Sequence, residues 1–159
     1  NIIEHANFSI LETSFIRNKA QGKGGAIYHE CDSRSDCQMT LGAAASQIVT
    51  FDNNLARIAG GAISWQNREP VCEAVEFKDN VAYYGKNMAS FAHKLVAISA
   101  EDQEENLKGT HFTYDPNVDT SKPVYDKQHN VEDFQSGTDI QKDMYVAIVD
   151  TYGQIVRTF

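Results

Sequence analysis

The sequence predicts an all-β fold: a right-handed parallel β-helix (solenoid) of a few coils, followed by a linker and a β-hairpin or partial β-sandwich. Three observations predict it. Phe, Asn and Ala recur at fixed offsets in three segments, as Phe15, Asn18, Ala20, then Phe51, Asn54, Ala56, then Phe77, Asn80, Ala82. In the first two segments Gly-Gly-Ala-Ile follows at a shared offset, as Gly24-Gly25-Ala26-Ile27 and Gly60-Gly61-Ala62-Ile63. A helical reading fails at these glycine pairs, since each Gly costs roughly 1 kcal/mol against helix.

Each recurring residue has a physical reason to recur in a solenoid. Successive coils stack about 4.8 Å apart in register, so identical side chains land on one another. Phe15, Phe51 and Phe77 are expected to form an interior aromatic stack. Asn18, Asn54 and Asn80 are expected at a coil corner, with amides hydrogen-bonding along the axis as Asn ladders do. Asn also tolerates the left-handed backbone a corner needs. Gly24, Gly25, Gly60 and Gly61 permit close packing of coils. Ala20, Ala56 and Ala82 suit a tight interior, and Ile27 and Ile63 begin short strands with alternating faces.

The repeats are unequal. Phe15 and Phe51 are 36 residues apart, whereas Phe51 and Phe77 are 26 apart. A period in the mid-twenties fits solenoid coils, so the first interval is read as carrying an insertion that contains Cys31 and Cys37. The third unit loses one residue and has Gly85-Lys86-Asn87 in place of the glycine pair. That departure fits a terminal, capping coil.

The pattern Phe-x-x-Asn-x-Ala with downstream Gly-Gly-Ala-Ile resembles the polymorphic outer membrane protein repeat of bacterial surface adhesins. It is similar to repeats in very large surface proteins of ciliated protozoa. The resemblance covers roughly residues 6–98. It implies a right-handed, pectin-lyase-like parallel β-helix and an extracellular or cell-surface location, without implying catalysis, and the segment Tyr84–Ser90 looks like the end of such a helix.

Composition narrows the classes. A net charge of −8 argues against nucleic acid and against electrostatic attachment to an anionic membrane. No apolar run approaches a membrane span. Ile2 already reads as mid-pattern, so the chain is expected to be a piece of a longer protein. Cys31 and Cys37 bracket a polar segment and are read as a disulfide, which implies an oxidising compartment. Cys72 is read as a buried small hydrophobe. Zinc is not expected: only Cys31, Cys37, His29 and Cys72 are available, without a Cys-x-x-Cys knuckle. Asn7-Phe8-Ser9 is a glycosylation sequon at Asn7.

Three regions follow: a β-helix over 1–99 with repeats near 15–28, 51–65 and 77–90, an acidic linker or excursion over 100–137, and a terminal hairpin over 138–159. Leu95–Ile98 reads as a last strand. Asp143–Asp150 and Ile155–Phe159 read as strands around a turn at Thr151–Gln154.

Catalytic signatures are missing from the sequence: no Gly-x-Ser-x-Gly, Walker A or His-Glu-x-x-His occurs. Glycoside cleavage needs two positioned carboxylates. Asp52 and Asp79 are placed to stack on adjacent coils, where they read as a solvated ladder. Asp115, Asn117 and Asp119 alternate like a calcium loop, but Thr120 stands where the glycine belongs and Pro116 is ill-suited. His5, His29, His93, His111 and His129 are scattered and read as surface residues. Tyr28 and Trp65 follow the glycine runs, either as an exposed aromatic strip or packed under a loop. No catalytic residue, cofactor or metal is therefore expected. The expected role is a non-enzymatic structural or adhesive surface, as spacer or assembly subunit of a filament or coat. Its expected partners are copies of itself, other surface proteins or glycans. The alternative is a carbohydrate-active β-helix protein, as lyase, hydrolase or glycan binder; a lyase on this fold would want Asp clusters for calcium with a nearby Arg or Lys, for which Arg57 is available.

Overall fold

The computed structural model describes residues 7–31, 37–98 and 145–156. These form strands and turns with no helix, and none crosses a membrane as a long apolar helix. The first coil comprises β1 (Asn7–Ile10), β2 (Ser14–Ile16), β3 (Lys19–Ala20) and β4 (Ile27–Glu30). The second comprises β5 (Gln38–Leu41), β6 (Val49–Asp52), β7 (Leu55–Ala56) and β8 (Ile63–Gln66). The third comprises β9 (Val71–Cys72), β10 (Val75–Lys78) and β11 (Met88–Ala89). Every pairing between coils is parallel, in the orders β1-β5-β9, β2-β6-β10, β3-β7 and β4-β8-β11. The architecture is a β-helix-like solenoid, as the repeat predicts.

Register brings like onto like. Phe15 pairs with Phe51 and Phe51 with Phe77. The rings stack with centroids 4.9 and 5.5 Å apart. Phe51 is fully buried, in a core with Met39, Leu41, Val49, Ala62 and Ile63. Inward residues alternate with outward ones along β5 and β6, as strand geometry requires.

Two expectations about the coils need correction. The extra residues of the first interval do not form one insertion. Nine residues lie between Glu30 and Thr40 against four between their partners Gln66 and Val71, and seven lie between Leu41 and Val49 against two between Cys72 and Val75. The extra residues are thus divided between the two connections that flank β5, because β5 must still stack on β1. Nor is the repeat Asn the left-handed residue at the corner. That conformation belongs to the preceding residue in each coil, Arg17 (φ 56°), Asn53 (φ 54°) and Asp79 (φ 49°). The corner Asn serves through its side chain instead.

The third coil explains its own departure. Gly24, Gly60 and Gly85 share φ values of 64–66°, so Gly85 retains the first glycine of the pair. The second glycine faces the following coil: a Cβ on Gly25 would strike Gly61 and Leu55, and one on Gly61 would strike Lys86 and Val81. Lys86 occupies that place in the third coil, where no further coil stacks beneath among the described residues.

After the third coil the pairing changes sense. β12 (Lys94–Ile98) and β13 (Tyr145–Val149) pair antiparallel, with Leu95 opposite Ile148. The chain then turns through 150–154, and Ile155 bridges back to Val149. The linker 100–137 and the last residues of the predicted hairpin lie outside the described residues.

Candidate functional site

Three groups of side chains stand out: the corner ladder, the cap on the third coil, and a histidine–cysteine cluster at the end of β4.

The ladder runs along the coil axis. Asn54 Oδ1 accepts from the Asn18 backbone N–H (3.0 Å) and side-chain amide (2.9 Å). Asn80 Oδ1 accepts in the same way from Asn54, at 3.0 and 2.9 Å. The amides of Asn54 and Asn80 also donate to the carbonyls of Phe15 and Phe51 in the coil above, each at 2.9 Å. Asn54 and Asn80 are fully buried, and these bonds compensate the cost of burying an amide.

The cap is fastened by the turn at 150–154. Asp150 is fully buried and accepts from the backbone N–H of Ser90 (3.2 Å), Tyr152 (2.9 Å) and Gln154 (3.0 Å), and from the Gln154 side chain (3.0 Å). Desolvation nonetheless leaves its carboxyl above its ordinary value. The Gln154 amide donates to the Met88 carbonyl at 2.9 Å, which ties the turn to β11. Trp65 Nε1 donates to the Tyr152 hydroxyl (2.8 Å), and that hydroxyl donates to Glu69 (2.6 Å). Burial, then Glu69, pushes the Tyr152 phenol well above its usual range. Sequence reasoning missed Ser90, Asp150 and Gln154, which carry no repeat signal.

The third group lies at the end of β4. His29 and Cys31 are two residues apart and both buried. Cys31 is disulfide-bonded to Cys37. The ligand atoms of His29, Cys31 and Cys37 all lie within 4.8 Å of one another. His29 Nε2 is buried with no hydrogen-bond partner among the described residues. Burial holds this imidazole below its ordinary 6.5, which keeps it neutral at pH 7. The expectation of a surface histidine at position 29 is therefore corrected: strand alternation turns it away from solvent, beside the Phe8 ring at 6.1 Å.

Other candidates are not assembled. Register sets Asp52 opposite Lys78, and Asp79 sits at the corner opposite Asn53, so the two aspartates do not stack. Arg57 donates to Gln21 at 3.0 Å on the solvent side. Tyr28 and Trp65 form no strip, because Tyr28 pairs with Ser64 and His29 with Trp65, placing the two rings on opposite faces. Tyr28 is exposed while Trp65 is covered by Tyr152 and Phe91. Cys72 is exposed rather than buried, and crowding by neighbouring atoms plus the Glu69 charge hold its thiol above its ordinary value. Asn7 lies exposed on β1, its Oδ1 accepting from the Gln38 N–H at 3.0 Å. Asp115, Asn117 and Asp119 lie outside the described residues, as do His5, His111 and His129.

Residues 12–30 and 48–64 match the Chlamydia polymorphic membrane protein repeat. The two matched segments span the corner Asn and glycine pair of the first and second coils. The third unit, which has Lys86 at the second glycine position, lies outside the match. No curated protein and no solved structure matches the chain.

Proposed function

We propose that this chain is a non-enzymatic structural or adhesive segment of an extracellular or cell-surface protein, its stacked coils serving as a stiff spacer or assembly surface. One observation carries the reading: the residues that recur are consumed by architecture. The repeat Phe residues stack inside, the repeat Asn residues bond to one another, and the second glycines accommodate the next coil. Residues spent this way are not available for substrate. The match to a membrane-protein repeat supports the surface location.

The test is antibody staining of intact cells that produce the protein, paired with light scattering of the purified chain. The reading expects labelling without permeabilisation, and elongated particles that grow with concentration if assembly is its role. Staining only after permeabilisation would remove the surface location. Cleavage of polyuronate or another glycan by the purified chain would replace the reading with a carbohydrate-active one.

A further inference from the structure

We infer that His29, Cys31 and Cys37 form a redox-gated binding site for a thiophilic d10 metal ion, closed while the Cys31–Cys37 disulfide is intact and opened by its reduction. Two independent observations meet here. The three ligand atoms already lie within 4.8 Å of one another. In a tetrahedral zinc site, with Zn–S about 2.3 Å and Zn–N about 2.0 Å, ligand atoms stand about 3.3–3.8 Å apart, so modest side-chain adjustment suffices. Separately, His29 is only 6% exposed, and its Nε2 has no partner among the described residues. A buried polar atom without a partner calls for an explanation, and a lone pair held ready for a metal is one.

The backbone sets this geometry. His29 and Cys31 are two positions apart on an extended segment and so share a face. The Cys31 N–H donates to the Gln66 carbonyl, and the Asn67 amide donates to the Cys31 carbonyl, which pins this end of the coil to the next one. Cys37 returns the chain to β5 on the same side. His29 belongs to β4 of the first coil, while Cys31 and Cys37 lie outside its strands, so two of the three donors are additions to the stacked architecture.

The redox step balances with a dithiol as reductant. The dithiol gives two electrons and two protons, becoming a disulfide, and the Cys31–Cys37 bond becomes two thiols. Zinc then displaces two protons, leaving two thiolates and the neutral imidazole as donors. Three protein donors leave a fourth position for water.

The experiment uses the 159-residue chain and Zn²⁺ as probe. Oxidised protein is expected to retain no zinc after desalting. Protein reduced with a dithiol, then freed of it, is expected to bind one equivalent by calorimetry. X-ray absorption of that complex is expected to show two sulfurs and one imidazole. Cys37→Ser is expected to abolish binding, His29→Gln to weaken it more than about 10-fold, and Cys72→Ser to leave it unchanged. Zinc retained equally by oxidised protein, no binding after reduction, or a metal shell without imidazole would each overturn the proposal. The absorption spectrum of the unsubstituted chain keeps the test valid if a variant fails to fold.

Discussion

Asn54 receives two hydrogen bonds from Asn18, one from its backbone and one from its side chain, through a single Oδ1 atom. Asn80 repeats the arrangement toward Asn54. One residue type thus closes the corner and links the coils. Asn54→Ala removes the acceptor for two donors of Asn18 and the amide that serves Asn80 and the Phe15 carbonyl. A buried group left without its partner costs about 1–3 kcal/mol, so a loss of about 3–5 kcal/mol is expected in urea unfolding. Asn54→Asp keeps the acceptor but turns both donated bonds into oxygen–oxygen contacts, and is expected to fare no better. A loss under about 1 kcal/mol for Asn54→Ala would show the ladder to be incidental.

Glycine replacements separate close packing from mere recurrence. A Cβ on Gly61 would meet the Lys86 carbonyl and stand 2.5 Å from the Val81 nitrogen, both backbone. Gly61→Ala is therefore expected to cost about 3 kcal/mol or more, above ordinary overpacking. Gly22 has nothing within 4 Å of an added Cβ. Gly22→Ala is expected to be neutral or to stabilise by up to about 1 kcal/mol. Thermal melts of the two variants make the comparison; equal melting temperatures would contradict the stacking account.

Asp150 and Trp65 make the cap measurable. Asp150→Ala leaves three backbone donors without that acceptor, from Ser90, Tyr152 and Gln154, of which the Ser90 and Gln154 bonds are buried. The 150–154 turn is expected to detach. Trp65, the single tryptophan, then loses the cover of Tyr152. Its emission is expected to shift to longer wavelength and to become quenchable by iodide. Unchanged emission in Asp150→Ala would separate the cap from the turn.

Alkaline pH probes Tyr84, which is buried beneath the cap with its hydroxyl donating to the Ser90 carbonyl at 3.4 Å. Desolvation, then the Asp150 charge, pushes its phenol from 10.0 up to about 12. Between these values the unfolded chain loses the proton and the folded chain keeps it. Stability is therefore fully present below pH 10 and falls as pH rises toward about 12. Tyr84→Phe is expected to flatten that decline in urea midpoints measured at pH 9 to about 12. A decline equally steep in the variant would assign it to other groups.

The sequence by itself determined the solenoid and the residues that stack. The reason is physical: in-register coils force the same side chains to the same places, so the pattern Phe, Asn, Ala, Gly-Gly is the contact map written along the chain. It also marked the third coil as different, although the cause emerged only from stacking: the second glycine is needed where another coil follows, and Lys86 stands where none does among the described residues. Tertiary structure alone decided the rest. It split the insertion around β5, because β5 had to keep its register with β1. It placed the left-handed residue one position before the corner Asn, because the Asn side chain must point along the axis. It brought Ser90 to Asp150 across 60 residues, buried Trp65 under Tyr152, and turned His29 inward beside Cys31 and Cys37. Those contacts join residues that do not repeat, and a contact made once leaves no period in the sequence.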